Sequence, residues 1–150
     1  MNALKQPGLW FLVAESLFLL SLVLPAYHRY GTDSGWQCAM FAGEVMFTEF
    51  KTDAGFWSWL YYLMFNVTNF CLLVLPILWW FKRSRRVMRV ARWLVGLAFL
   101  HTLSWVVVSC FDQKFSDVRV GYYVWLLSVA ALWRGCVLAA RETTETSTVS

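Results

Sequence analysis

Charge is scarce in this sequence. Only 15% of its 150 residues are Asp, Glu, Lys or Arg, whereas 59% are hydrophobic and 19% are aromatic. Soluble domains carry nearer a quarter of charged residues and about half of apolar ones. The uncharged residues also form long runs, which separates a membrane protein from a soluble protein with a large core. This composition excludes a disulfide-rich secreted scaffold, a nucleic-acid-binding module and a disordered chain.

Histidine and cysteine are also few, with two and four residues. His28 and His101 are separated by about 15 Å along the membrane normal in the predicted spans, which excludes bis-histidine ligation of one haem. The sequence has no C-x-x-C motif, no phosphate-cradling glycine loop and no recognisable nucleophilic serine. We therefore predict no metal, no cofactor and no catalytic site. An enzyme is the least favoured of three functional classes, after a binding protein and a transporter or channel.

Four apolar stretches are long enough to cross a membrane, at residues 9–27, 57–81, 93–111 and 120–140. A helix needs roughly 20 residues to span about 30 Å of hydrocarbon, whereas β-spans would show alternating segments of about ten residues. The first stretch could instead be a cleaved signal peptide, but Glu15 and the large Leu24 before the cleavage position argue against it. The sequence predicts an all-α integral membrane protein, a four-helix bundle in a single domain, with a flexible tail at 141–150.

Basic residues are concentrated on one side of these spans. Six of the eleven residues at 82–92 are Lys or Arg, and Lys5 and Arg141 fall on the same side. Cytoplasmic loops carry such an excess, so both termini are predicted to lie in the cytoplasm. The basic loop either sets only this topology or also recruits anionic lipid or an acidic partner.

The first outer loop carries a helical pattern at residues 35–50. Its apolar residues recur at helical spacing, and Gln37, Glu44 and Thr48 fall on another face. This pattern predicts a short helix that lies in the outer interface or caps the bundle. The alternative is an irregular, partly buried loop.

The four cysteines divide into two pairs. Cys71 and Cys136 fall inside predicted spans, where a thiol is most often a plain packing group. Cys38 in the outer loop and Cys110 at the outer end of the third span share one side of the membrane. In an oxidising compartment they could form a disulfide, provided that their Cα atoms lie within about 7 Å.

Polar groups inside the spans are costly, so each one needs a reason. Glu15 and Arg134 have opposite charges and lie about 9 Å from the cytoplasmic ends of their spans, and His101 lies at about 12 Å. Asn66 and Asn69 are one turn apart in the second span. We predict an intramembrane polar cluster of these five residues, with the first span against the fourth. Glu15 and Arg134 could form a structural pair, Arg134 could reach the headgroups with Glu15 protonated, or the group could handle protons or substrate.

Two short strings resemble a known group of proteins. A first span that ends in a proline, an outer loop with GWQC and a last span that opens with GYYVWLLS resemble small four-span inner-membrane proteins of bacteria with no assigned activity. The resemblance implies a bacterial inner membrane and a four-helix bundle, and it implies no catalytic residues. Immunity proteins for pore-forming bacteriocins are similar in size and number of spans only.

The leading hypothesis is a non-catalytic membrane protein that acts by helix–helix interaction, as an accessory or immunity-type subunit. Its predicted partners are the lipid bilayer and another membrane protein or a second copy, and no nucleic acid. The competing hypothesis is a small oligomeric transporter or channel that uses Glu15, His101 and Arg134. Transporters usually rest on internal repeats, and the sequence shows none.

Overall fold

The structure is a computed structural model that describes residues 5–28, 32–48, 53–82, 85–111 and 118–145. These ranges form five helices and one small antiparallel sheet of two strands. Their order along the chain is α1 (Pro7–Val23), β1 (Pro25–His28), β2 (Thr32–Ser34), α2 (Gly35–Thr48), α3 (Asp53–Lys82), α4 (Arg85–Phe111) and α5 (Val120–Glu145).

Three of the helices are long and apolar enough to cross a membrane. The spanning stretches are Trp59–Phe81 in α3, Arg86–Val107 in α4 and Val120–Arg141 in α5, with 23, 22 and 22 residues. The helix α1 is also apolar but has only 17 residues. The second, third and fourth predicted stretches therefore coincide with candidate membrane-spanning helices.

The first apolar stretch is helical over a shorter range than the sequence predicts. We expected a helix over residues 9–27, but α1 ends at Val23. Leu24 precedes a proline, which disfavours the helical conformation, and it is extended with φ −79° and ψ 151°. From Pro25 the chain instead pairs β1 with β2. This hairpin was not predicted.

The other helices extend beyond their apolar stretches. The helix α4 begins at Arg85, so most of the predicted basic loop at 82–92 is helical. The helix α5 continues through residues 141–145 of the predicted flexible tail, whose remaining residues, 146–150, lie outside the described residues. Hydropathy detects only the apolar part of a helix. Arg and Glu also favour the helical conformation, so a helix can continue past its apolar stretch. The predicted helix in the first outer loop is present as α2.

The helix α5 is the centre of the packing. Half of its spanning stretch, 50%, is buried, against 28% and 22% for those of α3 and α4. The helix α1 runs antiparallel along it, since Phe11 contacts Gly135 and the carbonyl oxygens of Leu24 and Pro25 approach Gly121. The fully buried residues at the centre include Ala14, Leu72, Val129, Leu132 and Cys136. The predicted packing of the first apolar helix against the last is thus confirmed.

Backbone hydrogen bonds join the hairpin to the start of α5. The Arg119 amide donates to the Ala26 carbonyl at 2.9 Å, and Tyr27 pairs with Val118. We call this the hairpin end of the molecule. At the opposite end, Gly8 contacts Trp79 of α3. That end carries Lys5, Arg86, Arg89, Arg92 and Arg141, and we call it the basic end.

Candidate functional site

An aromatic cluster surrounds His101 between α3, α4 and α5. The imidazole ring of His101 lies 4.5 Å from the Tyr61 ring and 5.0 Å from the Phe65 ring. Trp105 lies 5.8 Å from Tyr61, and Trp125 of α5 stacks on Phe65 at 5.4 Å. We call these five residues the His101 cluster. Rings from all three long helices thus pack around a titratable group.

Two hydrogen bonds attach α5 to its neighbours beside this cluster. The Trp125 indole Nε1 donates to the Asn69 side-chain oxygen at 2.9 Å. The Tyr122 hydroxyl donates to the backbone carbonyl of Thr102 on α4. Both bonds lie among apolar side chains, where an unpaired indole or hydroxyl would be costly. They fix the positions of α3 and α4 relative to α5.

His101 itself is not fixed in this way. Both of its ring nitrogens are buried, and neither has a hydrogen-bond partner among the described residues. The Tyr61 hydroxyl on the facing helix is also buried, and the Ser104 side chain of α4 lies beside it. A neutral imidazole presents one N–H donor and one lone pair. The His101 nitrogens therefore offer one donor and one acceptor that no described side chain uses.

The five polar residues predicted to cluster are not brought together. Asn66 donates from Nδ2 to the Ala42 carbonyl of α2 at 3.0 Å and to the Tyr62 carbonyl at 3.1 Å. Asn69 instead faces α5, where it accepts the bond from Trp125. The asparagines on successive turns of α3 thus bond to two different neighbouring helices, Asn66 to α2 and Asn69 to α5. These asparagines hold helices together, which is the common role of polar residues in membrane spans.

Glu15 and Arg134 also lie apart, although α1 and α5 pack together as predicted. The contact of Phe11 with Gly135 places Glu15 near the level of Ala131, and Arg134 one turn closer to the basic end. Glu15 is half-buried, whereas Arg134 is exposed on the outer face of α5. This placement matches the alternative in which Arg134 extends toward the headgroups rather than into the bundle.

No group of three or more His, Cys, Asp or Glu residues that could hold a metal ion occurs in the described ranges. The side chain of His28 lies outside them.

Three cysteines are free thiols in the structure. Cys71 and Cys136 are 5% and 0% exposed, and they pack in the core as predicted. Cys38 on α2 is half-buried. The side chain of Cys110 lies outside the described residues, so the Cys38–Cys110 disulfide stays a prediction.

Cys38 is expected to react slowly with alkylating reagents after full reduction of the protein. Burial, and to a lesser degree the negative charge of Asp33, raise the pKa of the Cys38 thiol to about 11. Because only the thiolate reacts, roughly one molecule in a thousand is reactive at pH 8. The alkylation rate at Cys38, measured by mass spectrometry, should rise about tenfold per pH unit from pH 8 to 10.

A matched control places the thiol at an exposed position of the same helix. Met40 is 58% exposed, so Met40→Cys in a Cys38→Ser background should alkylate with an ordinary thiol pKa near 8.5 and level off above pH 9. A Cys38 rate that also levels off near pH 9 would contradict the prediction.

The sequence contains a pattern that indicates the His101 cluster, although the prediction did not use it. Tyr61 and Phe65, like His101 and Trp105, are four residues apart, which places each pair on one face of its helix. The spacing alone does not show that the two pairs contact each other.

No protein-family model, no curated protein and no solved structure matches this chain.

Proposed function

We propose that the protein is a non-catalytic integral membrane protein that acts by helix–helix contact with another membrane component. In this proposal α1, α3, α4 and α5 form a four-helix bundle in a bacterial inner membrane, with the basic end in the cytoplasm. The helix α1 is about 25 Å long at 1.5 Å per residue, slightly less than the hydrocarbon thickness, and it lies along the full-length helix α5.

The outer face of α4 is the observation that carries this proposal. Its inner face buries Met88, Ala91, Val95, Ala98 and Thr102 in the bundle. On its opposite side, large apolar side chains follow one another every three or four residues over nearly the whole helix, interrupted only at Ser104. Their exposed fractions range from 48% at Val107 to 83% at Phe111, and the set is Val90, Trp93, Leu97, Leu100, Val107 and Phe111. We call this set the α4 face.

The spacing of the α4 face suits a second helix. Apolar residues that alternate at three and four residues form a straight seam along a helix, which packs against a partner helix by knobs into holes. Lipid alone does not require this regularity. The α4 face therefore favours a binding role for the protein, with another membrane protein or a second copy as the partner.

The polar groups inside the bundle support the same proposal. Thr68 donates to the Met64 carbonyl and Ser128 to the Trp125 carbonyl, each within its own helix. Asn66, Asn69 and Tyr122 bridge neighbouring helices. These groups are satisfied by the protein itself, so they act in packing rather than along a transport path.

Site-specific photo-cross-linking in native membranes tests the proposal. A photoreactive residue at Leu97 or at Leu100 should give a discrete protein adduct. The matched control is Leu19 on α1, which lies on a different helix and is exposed to the same extent, 60%. A dimer-sized adduct would identify the partner as a second copy. Lipid adducts only, at all three positions, would overturn the proposal.

The competing function is a small oligomeric transporter or channel, and the unpartnered His101 nitrogens favour it. Its predicted path through Glu15, His101 and Arg134 is not supported, because Arg134 is exposed on the outside of α5. A transport role for His101 alone predicts that His101→Phe abolishes proton or solute flux in vesicles while the Leu97 adduct persists. The binding role predicts no such flux in the parent protein.

A further inference from the structure

The helices α4 and α5 meet closely where Gly96 on α4 faces Trp133 on α5. We call the exposed surface around this contact the α4–α5 surface. A Cβ atom at Gly96 would lie 3.2 Å from the Trp133 indole nitrogen, so the missing side chain is what lets the indole lie across α4. The Trp133 ring also stacks on Phe99 at 6.1 Å and remains 42% exposed.

Three arginines lie at or near the α4–α5 surface, toward the basic end. Arg134 follows Trp133 and is exposed, and Arg141 is exposed two turns farther along the same face of α5. Because Gly96 faces Trp133 and the two helices are antiparallel, Arg92 lies one turn from Gly96 toward the basic end. The Arg92 guanidinium carbon lies 5.4 Å from the centre of the Trp93 ring. Arg134 extended toward the basic end reaches the level of Arg92.

A guanidinium at this position favours an anion beside it. Arginine keeps its proton under all usable conditions, and a charged side chain at membrane depth is costly unless it is paired or reaches the interface. Arg134 points away from the bundle, so the protein core does not supply the pairing group. Toward the hairpin end, the outer face of α5 continues with Leu127, which is 58% exposed. A phosphate at Arg134 would therefore have an apolar surface directly beside it.

We propose that the α4–α5 surface binds an anionic phospholipid, with its phosphate between Arg134, Arg92 and Arg141 and an acyl chain along the outer face of α5 at Leu127. Basic pockets between spanning helices recognise headgroups in this way, and arginine pairs with phosphate through two parallel hydrogen bonds. The inference rests on the membrane location in the proposed function, but not on any partner at the α4 face.

Lipid binding to the purified full-length protein in detergent tests this site. Dissociation constants would be measured by native mass spectrometry for phosphatidylglycerol, phosphatidylcholine and diacylglycerol. We expect phosphatidylglycerol to bind most tightly. Arg134→Gln and Arg92→Gln should each weaken it roughly fivefold, the factor equivalent to about 1 kcal/mol per basic residue. Arg119→Gln, at an exposed arginine of the hairpin end, should leave binding unchanged.

Each alternative outcome decides against the site. Equal binding of phosphatidylglycerol and diacylglycerol would show that the phosphate is not recognised. An effect of Arg119→Gln as large as that of Arg134→Gln would show only a general charge effect. Inorganic phosphate that competes for the site at similar concentration would identify a free-phosphate site instead. A failed cross-link at the α4 face together with Arg134-dependent lipid binding would overturn the proposed partner and leave the lipid site on the α4–α5 surface supported.

Discussion

Replacing Gly35 with alanine is expected to destabilise the protein by about 3 kcal/mol, the upper part of the range for overpacking. Gly35 begins α2 directly against the backbone of α1. An added Cβ atom would overlap the Ser21 carbonyl oxygen and lie 2.9 Å from its carbon. Backbone atoms cannot rotate away as a side chain can, so α2 would have to move off α1. The measurement is the free energy of unfolding in mixed detergent micelles.

Gly43 of the same helix is the matched control. A Cβ atom there would meet nothing within 4 Å, so Gly43→Ala should stabilise α2 by up to about 1 kcal/mol through helix propensity alone. The two substitutions add the same methyl group to one helix with opposite expected signs. A similar loss of stability at both positions would contradict the close approach of α2 to α1.

Trp125→Ala is expected to cost about 3–5 kcal/mol, since it empties a large volume at the meeting point of α3 and α5. Trp125 is only 8% exposed, stacks on Phe65 and donates to Asn69. Trp125→Phe keeps most of the ring volume but leaves the Asn69 oxygen without this donor, for a smaller loss of about 1 kcal/mol. Thermal unfolding in one detergent would give both values.

Trp80 provides the comparison for this series, because it is 73% exposed near the end of α3. Trp80→Ala removes the same side chain with little buried volume, so its effect should stay within about 0.5 kcal/mol. If Trp80→Ala and Trp125→Ala destabilised the protein equally, the His101 cluster would not be part of the packed core.

The positions of the long helices could be predicted, but their ends depended on other properties. Long uncharged runs mark α3, α4 and α5 because hydrocarbon excludes charge. The end of α1 depends on one residue, Pro25, whose effect on Leu24 overrides an apolar run that continues to Tyr27. The start of α4 depends on the helix propensity of a segment rich in Arg, and hydropathy does not measure that propensity.

Which face of a helix points inward was harder to predict. In a protein surrounded by lipid, both faces of a helix are apolar, so residue type loses the contrast that marks a core in water. Leu127 and Leu132 of α5 are the same residue, yet one is 58% exposed and the other 0%. For the same reason, equal depth and opposite charge could not show that Arg134 faces away from Glu15. Depth follows from sequence position, but the direction of a side chain depends on packing.

The packing of α1 along α5 also constrains the order of assembly. The helix α1 ends at Val23 and α5 begins only at Val120, yet together they form the largest interface between the described elements. During synthesis α1 must therefore wait for its main neighbour until α5 has been made. Contacts between such distant segments are slow to form. The packing of α1 is therefore completed only after α5 has been synthesised, and a chain interrupted before Val120 would leave Phe11 without its contact at Gly135.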